Sequence, residues 1–319
     1  MASLTTPTAE GTPVRRSLGG KPPAARGRQA SRAEAVAGWA FLLPFLTIFL
    51  LFIAIPAVFA LSTSFTDMTS RDIRNPFAVD FVGFDTFATV LSNPSFHRAI
   101  GNTIGFVLLC VPLSIVCGLA LALMLDRGIR RLRTFFRAAV YVPVITNIVA
   151  AAVIWQYAFS LTGPVNATLE DLGLAGPNWL GDPGWAFTTV VMMGIWRNVG
   201  TCMVLFLAGL QAVPEEVYEA AATDGSGRIR TLWSITLPLL RPTTLLVSVL
   251  MTVSFLNIFE EPYLLTRGGP LSATESTALW VYDQFAFGNV SSSMAASVIL
   301  LVFVAIVAIM QFRLLRPKH

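Results

Sequence analysis

Six long apolar stretches restrict the fold of this 319-residue sequence more than any other feature. A helix needs roughly 20 mostly apolar residues to cross a bilayer, and each stretch has about that length. Because 55% of the residues are hydrophobic and the mean hydropathy is +0.68, a soluble core could not bury this much apolar material. The sequence therefore predicts six transmembrane helices. They cover about residues 39–61, 99–125, 135–159, 186–210, 243–265 and 294–315.

The near-continuous hydrophobicity of these stretches favours helices over a membrane barrel, whose strands alternate between apolar and polar residues. We therefore expect an all-α, polytopic transmembrane domain over residues 36–316. Residues 1–35 are rich in Pro, Gly and Arg and predict a disordered basic tail. The first apolar stretch is too long for the core of a signal peptide, about 7–15 residues, and is predicted to be an uncleaved helix.

The basic residues predict the orientation, because short cytoplasmic loops carry the excess of Lys and Arg. Of the 22 Lys and Arg residues, 17 lie in the tail, in Arg127–Arg137, in Arg228–Arg241 and in Arg313–Lys318. Four lie in the opposite connections, and Arg197 lies inside the fourth stretch. Both termini are therefore expected on the cytoplasmic side of a bacterial plasma membrane. The Arg127–Arg137 cluster is a candidate anchor to anionic membrane lipid. The basic residues behind the net charge of +4 are explained by this topology, so no nucleic-acid partner is expected.

Several kinds of site are not predicted. The three cysteines all fall inside apolar stretches and only two histidines exist, so no metal site or disulfide is expected. The sequence Gly19-Gly20-Lys21 is followed by Pro22 and does not form a phosphate-binding loop. We expect this chain to bind no cofactor and no ATP of its own.

The connection between the fourth and fifth stretches, residues 213–242, has strong local helix signals. Pro214 and the acidic residues after it suit a helix N-terminus, and Gly225 suits a terminator because glycine tolerates positive φ. A second amphipathic segment, residues 229–237, is expected to end at Pro238. These signals alone are equally compatible with an ordinary solvated loop and with a docking element.

Eight residues of this connection form a spaced pattern: Glu219, Ala220, Ala221, Asp224, Gly225, Ile235, Leu237 and Pro238. The pattern resembles the "EAA" signature of binding-protein-dependent ABC importer permeases. The resemblance implies the type I ABC importer permease fold, with this loop coupling the chain to an ABC ATPase dimer that binds ATP and Mg. It also implies a second related permease subunit and an extracytoplasmic solute-binding protein as partners.

Two further stretches resemble the carbohydrate branch of that family, the maltose and glycerol-3-phosphate transporter-like permeases. They are Leu265–Pro270 followed by Thr274–Thr277, and Asn178-Trp179-Leu180 with Trp196. Arg267 stands where many relatives have Gly, and Ser226 stands where Ala is usual. The resemblance implies a di- or oligosaccharide substrate, and a glycerol phosphate is the alternative.

Polar residues inside apolar stretches are candidates for the substrate path, because ions inside a membrane are costly and usually functional. The candidates are Trp196, Arg197, Asn198, Asn257, Glu260, Glu261 and Tyr263. The positions of Arg197, Asn198 and Asn257 match residues around the sugar pocket of the resembling transporters. The alternative is that Arg197 pairs with Glu260 or Glu261 and joins two helices.

A membrane enzyme is a second hypothesis, with Glu260, Glu261 and Asp283 as acid-base groups. Adjacent residues on a helix point about 100° apart, so Glu260 and Glu261 are not expected to converge on one atom. A receptor without transport activity would leave the pattern around Glu219 unexplained.

Overall fold

The computed structural model describes residues 32–72, 79–127 and 133–315, so most of the predicted tail lies outside the described part. Regular structure in the described ranges is helical apart from one isolated bridge between Thr66 and Phe81, which confirms the all-α prediction. The helices are α1 (Arg32–Phe49), α2 (Ile55–Thr63), α3 (Asp85–Leu91), α4 (Pro94–Arg127), α5 (Arg133–Ile145), α6 (Ile148–Ala158), α7 (Pro164–Asp171), α8 (Pro183–Gln211), α9 (Glu215–Thr223), α10 (Arg228–Thr231), α11 (Leu237–Leu239), α12 (Arg241–Leu256), α13 (Glu260–Thr266), α14 (Thr277–Ala286) and α15 (Val290–Leu315).

The chain divides into two units, residues 1–56 and 57–319. The first unit contains α1, which begins within the predicted tail, and a π-helical turn, Leu50–Ala54. Helix α2 crosses the division between the units, and helices α3 to α15 lie in the second unit. In the described residues, four helical stretches are long and apolar enough to cross a bilayer. The number rises to six when each of two bent pairs counts as one crossing: α5 with α6, and Arg228–Leu239 with α12.

The third predicted stretch is broken in the structure. Helices α5 and α6 meet at an angle of 97°, where a single straight helix was expected over residues 135–159. Two residues explain the break: Pro143 weakens the end of α5, and Asn147 begins α6 by accepting hydrogen bonds from the backbone N–H groups of Val149 and Ala150.

The fifth predicted stretch is also divided. Helix α12 ends at Leu256, and α13 begins only at Glu260, so residues 257–259 interrupt the helix where a continuous span was expected. The carbonyl group of Ile258 in this interruption accepts a hydrogen bond of 2.5 Å from the Ser276 hydroxyl. This contact satisfies a backbone group that the broken helix leaves unpaired.

The main core of the second unit lies where α4, α8 and α12 pack against one another, with the α4–α8 pair in the most extensive contact. The close approach of α4 and α8 requires glycine at position 118, because a Cβ atom there would collide with Cys202. A smaller core joins α3, α4, α14 and α15 around Phe96 and Trp280. Helix α14 was not predicted from the sequence, because it is too short to stand out as a membrane span.

Candidate functional site

A cavity of about 430 Å³ lies beside the interruption between α12 and α13. Helix α8 supplies one wall, the interruption and the start of α13 supply another, and Val144 of α5 contributes near the break between α5 and α6. Several of the lining side chains carry hydrogen-bonding groups. The lining residues are Val144, Arg197, Asn198, Thr201, Ser254, Phe255, Asn257, Ile258, Phe259, Glu260 and Glu261.

An ion cluster connects the two walls of this cavity. The Nη1 atom of Arg197 donates to Glu260 Oε2 at 2.7 Å and to Glu261 Oε1 at 3.1 Å. The Glu261 side chain is only 7% exposed, whereas that of Glu260 is 49% exposed. Arg197 therefore pairs with both glutamates, as the alternative interpretation of this residue predicted. The same side chain also lines the cavity.

The expectation that adjacent carboxylates would diverge is wrong for this pair. Glu260 is the first residue of α13 and follows directly on the irregular segment, where Phe259 has φ −135°. Both side chains are long enough to bend toward one guanidinium group from that position. Two carboxyl groups and one guanidinium group therefore meet in the cavity wall.

Two asparagines flank the ion cluster. The amide of Asn198 donates to the Gly194 carbonyl at 2.9 Å, and the amide of Asn257 donates to the Val253 carbonyl at 2.9 Å. A side-chain amide has two N–H donors and one acceptor oxygen, so each of these contacts uses one of three bonding groups. The remaining groups give the cavity the mixture of donors and acceptors that a hydroxyl-rich solute requires.

Two residues predicted for the substrate path are not in the cavity wall. Trp196 packs against Trp155 with ring centroids 5.6 Å apart. Tyr263 stacks on Phe259, with centroids 5.1 Å apart, and carries the Arg267 guanidinium 4.3 Å from its ring centroid. Phe259 reaches both this aromatic cluster and the cavity.

Sequence reasoning missed several lining residues, among them Thr201 and Ser254. Thr201 follows Arg197 by four residues, and Ser254 precedes Asn257 by three, so both share a helix face with a predicted residue. Helical spacing around the charged positions could have found them. Ile258 and Phe259 carried no such signal, because they reach the cavity only through the interruption.

The segment that joins α13 to α14 is fixed against α4. Asn102 of α4 donates to the Ser272 carbonyl at 2.8 Å and to the Glu275 carbonyl at 3.0 Å. Partial burial raises the pKa of the Glu275 carboxyl above its ordinary value. Through Ser276 the same segment also supports the interruption at Ile258.

Residues 213–242 form a bent helical element at the other end of α8. Helix α9 follows Pro214, with Glu215 and Glu216 in its first turn, and ends at a turn where Gly225 has φ 70°. The Ser226 N–H group bonds to the Ala221 carbonyl at 2.9 Å and closes the turn. Glu219, Ala220, Asp224 and Gly225 are exposed, and Ala221 is buried.

The second half of this element is a short, irregular helix. Helix α10 continues through a π-helical turn, Leu232–Thr236, into α11, which ends at Leu239, one residue after the predicted stop at Pro238. Helix α12 then begins at Arg241 after a bend of 67°. Ile235, Leu237 and Pro238 are half-buried.

Two apolar side chains of this second half are strongly exposed. Ile229 is 76% exposed and Trp233 is 68% exposed. They are four residues apart on one helix face, which is a signal that sequence reasoning could have used.

Comparison with known proteins supports the resemblance. The family described as binding-protein-dependent transport system inner membrane component matches residues 110–318. The trehalose/maltose transport system permease protein of Thermococcus litoralis is 34% identical over 272 residues, which are 85% of this chain and 90% of that protein. The lactose transport system permease protein of Rhizobium radiobacter is 31% identical over 289 residues, which are 89% of this chain and 95% of that protein.

A solved structure is similar over nearly the whole chain. It is a bacterial ABC transporter involved in the import of the acidic polysaccharide alginate, matched at a TM-score of 0.77 and 25% identity. The match covers 89% of this chain and 96% of that chain.

Proposed function

The chain belongs to the family of binding-protein-dependent transport system inner membrane components, and from that premise we propose that it forms half of a carbohydrate path through the membrane. Members of this family are transport subunits of ABC importers, so the intramembrane-enzyme hypothesis is wrong. The relatives are named for trehalose and maltose and for lactose, and the similar solved transporter imports alginate. A di- or oligosaccharide is therefore the proposed substrate.

The observation that carries this proposal is the polar cavity at the interruption of the fifth stretch. Its volume of about 430 Å³ falls within the range of 300–1,000 Å³ that is typical of small-molecule sites. Asn198, Asn257, Thr201 and Ser254 supply neutral donors and acceptors suited to hydroxyl groups. Irregular backbone at membrane depth is tolerated where it lines such a cavity.

The charge of the cavity favours a neutral sugar over a glycerol phosphate. The guanidinium of Arg197 already contacts two carboxylates, Glu260 and Glu261, so the cluster carries one net negative charge when all three groups are ionised. A phosphate group would have to displace these carboxylates and would meet their repulsion. Neutral hydroxyl groups face no such penalty.

The orientation follows from the basic residues. The element of residues 213–242 lies with the Lys- and Arg-rich connections, which favours the cytoplasmic side for this element and for both termini. On that side α9 and its turn at Gly225 would contact an ABC ATPase dimer. A second related permease subunit would complete the path, and a solute-binding protein would deliver the sugar from outside.

The experiment that tests this proposal is sugar-stimulated ATP hydrolysis by the complete complex reconstituted in vesicles, measured across a panel of sugars with the cognate binding protein. We expect neutral di- or oligosaccharides to stimulate hydrolysis and uptake, and glycerol phosphate to have no effect. Stimulation by glycerol phosphate alone would overturn the assignment to carbohydrate.

Coupling through residues 213–242 has its own matched pair of variants. A Cβ atom meets nothing within 4 Å at either Gly225 or Gly227, but only Gly225 has positive φ. Gly225→Val should distort the turn and abolish sugar-stimulated ATP hydrolysis, whereas Gly227→Val should retain it. Equal activity of the two variants would contradict the coupling role, and Glu219→Lys provides an independent test.

A further inference from the structure

Three aromatic rings meet beyond the cavity, on the side away from residues 213–242. Phe259 and Tyr263 stack with centroids 5.1 Å apart and an interplanar angle of 16°. Tyr282 of α14 lies 5.2 Å from Phe259 and 5.3 Å from Tyr263, at steep angles of 56° and 70°. We call these three residues the aromatic platform.

Tyr282 is not needed to hold α14 in place. The buried residues Leu279 and Trp280 anchor this helix, and the indole N–H of Trp280 donates to the Ser95 hydroxyl at 2.8 Å. Tyr282 itself remains 44% exposed. An exposed ring that contacts two further aromatic rings is therefore a surface feature and not part of the core.

The platform has a charged and polar border. The Arg267 guanidinium lies over the Tyr263 ring, 4.3 Å from its centroid, and Phe259 stacks on the same ring. The free aromatic surface therefore belongs to the exposed ring of Tyr282, which Asp283 follows on α14. The C–H face of a pyranose ring packs against aromatic faces, while its hydroxyl groups seek hydrogen-bonding groups around the edge. A purely apolar ligand would not require such a border.

The platform is continuous with the cavity, because Phe259 belongs to both. A ligand on the Tyr282 ring would therefore be next to the part of the cavity lining that contains Phe259. This continuity separates the platform from an ordinary belt of aromatic residues at the membrane surface, which has no reason to adjoin a polar cavity.

We propose that Tyr282, supported by Phe259 and Tyr263, forms an extracytoplasmic stacking site for a pyranose ring of the transported carbohydrate, which the sugar occupies before it enters the cavity. This inference rests on the proposed function. It adds a second carbohydrate subsite to the one in the cavity and assigns the stacking face to α14.

The test uses the full complex with its binding protein and a sugar that stimulates the wild type. Tyr282→Leu keeps an apolar side chain but removes the aromatic face, and Tyr282→Phe keeps the face but removes the hydroxyl. Phe285, also on α14 and 49% exposed, makes no ring contact among the described residues, so Phe285→Leu is the matched control.

Tyr282→Leu should raise the half-saturating sugar concentration for uptake about 2- to 12-fold, the range expected for loss of one aromatic stacking contact. Tyr282→Phe should stay close to the wild type, and Phe285→Leu should be unchanged. The melting temperature of each complex, measured in parallel, distinguishes a folding defect from a loss of stacking.

Equal half-saturation for Tyr282→Leu and the wild type, with sugar stimulation intact, would overturn the platform alone. Equal shifts for Tyr282→Leu and Phe285→Leu would also overturn it, because they would indicate a general effect on α14. A wild-type complex that responds to no sugar would instead overturn the proposed function.

Discussion

The ion cluster of Arg197, Glu260 and Glu261 predicts a large difference between two carboxylates that are neighbours in sequence. Both lie within 3.1 Å of Arg197 Nη1, yet Glu261 is 7% exposed and Glu260 is 49% exposed. Arg197→Gln removes the positive charge and leaves the buried Glu261 carboxylate without it. Glu260→Gln removes only the exposed member of the cluster.

The expected magnitudes follow from burial. Breaking a buried ion pair costs about 3–5 kcal/mol, whereas an exposed pair contributes about 0.2–1 kcal/mol. Arg197 is 29% exposed and Glu261 can take up a proton, so we expect the lower end, about 3 kcal/mol, for Arg197→Gln. At roughly 2–4 °C per kcal/mol, this lowers the melting temperature by roughly 6–12 °C.

The assay is thermal unfolding of the purified complex in detergent, followed by tryptophan fluorescence. The double variant Arg197→Gln/Glu261→Gln removes the charges of both partners and should recover most of the loss. Glu260→Gln serves as the control and should stay within about 1 kcal/mol of the wild type. Similar losses for Arg197→Gln and Glu260→Gln, or no recovery in the double variant, would refute the reasoning.

Three further predictions concern packing, the break in the third stretch and pH. Gly118→Ala should lower the melting temperature of the complex by overpacking α4 against α8, at about 1–3 kcal/mol, whereas Gly101→Ala in open space on the same helix should not; equal effects would contradict the packing role. Asn147→Ala should lower the free energy of unfolding by about 0.5–2 kcal/mol because α6 loses its capping side chain. Asn147→Asp keeps a capping oxygen and should stay near the wild type, and equal losses for the two variants would contradict the capping role. Burial raises the pKa of the Glu275 carboxyl above its ordinary value, so the ionised form of this group destabilises the fold. The melting temperature of Glu275→Gln should therefore rise relative to that of the wild type as the pH increases from 4 to 7. A difference in melting temperature that does not change with pH would exclude this effect.

The uninterrupted apolar stretches were predictable because a long apolar run has few alternatives to a helix. Helices α4, α8 and α15 extend only a few residues beyond the predicted ranges 99–125, 186–210 and 294–315. The third stretch contained Pro143 and Asn147, which are recognised signals for a helix end. Apolar periodicity did not show that these residues turn the chain by 97°.

The candidate site was predicted less completely, because it depends on contacts between distant parts of the chain. The polar residues stood out individually among apolar neighbours, which is why Arg197 and Asn257 were identified. Arg197 and Glu260 are 63 residues apart, and the sequence allowed either a pair or two separate substrate contacts. Only the fold shows that the ion pair itself lines the cavity.

The two broken stretches and the cavity form one structural feature. Val144 lies just before the break between α5 and α6, and Asn257, Ile258 and Phe259 make up the interruption after α12; all four line the cavity. Backbone groups freed by a broken helix need polar partners at membrane depth, and facing lipid they would have none. Continuous third and fifth helices would satisfy those groups internally and would close the space between them. The polar cavity beside the two breaks gives such freed backbone groups a polar environment that a lipid-facing break would lack.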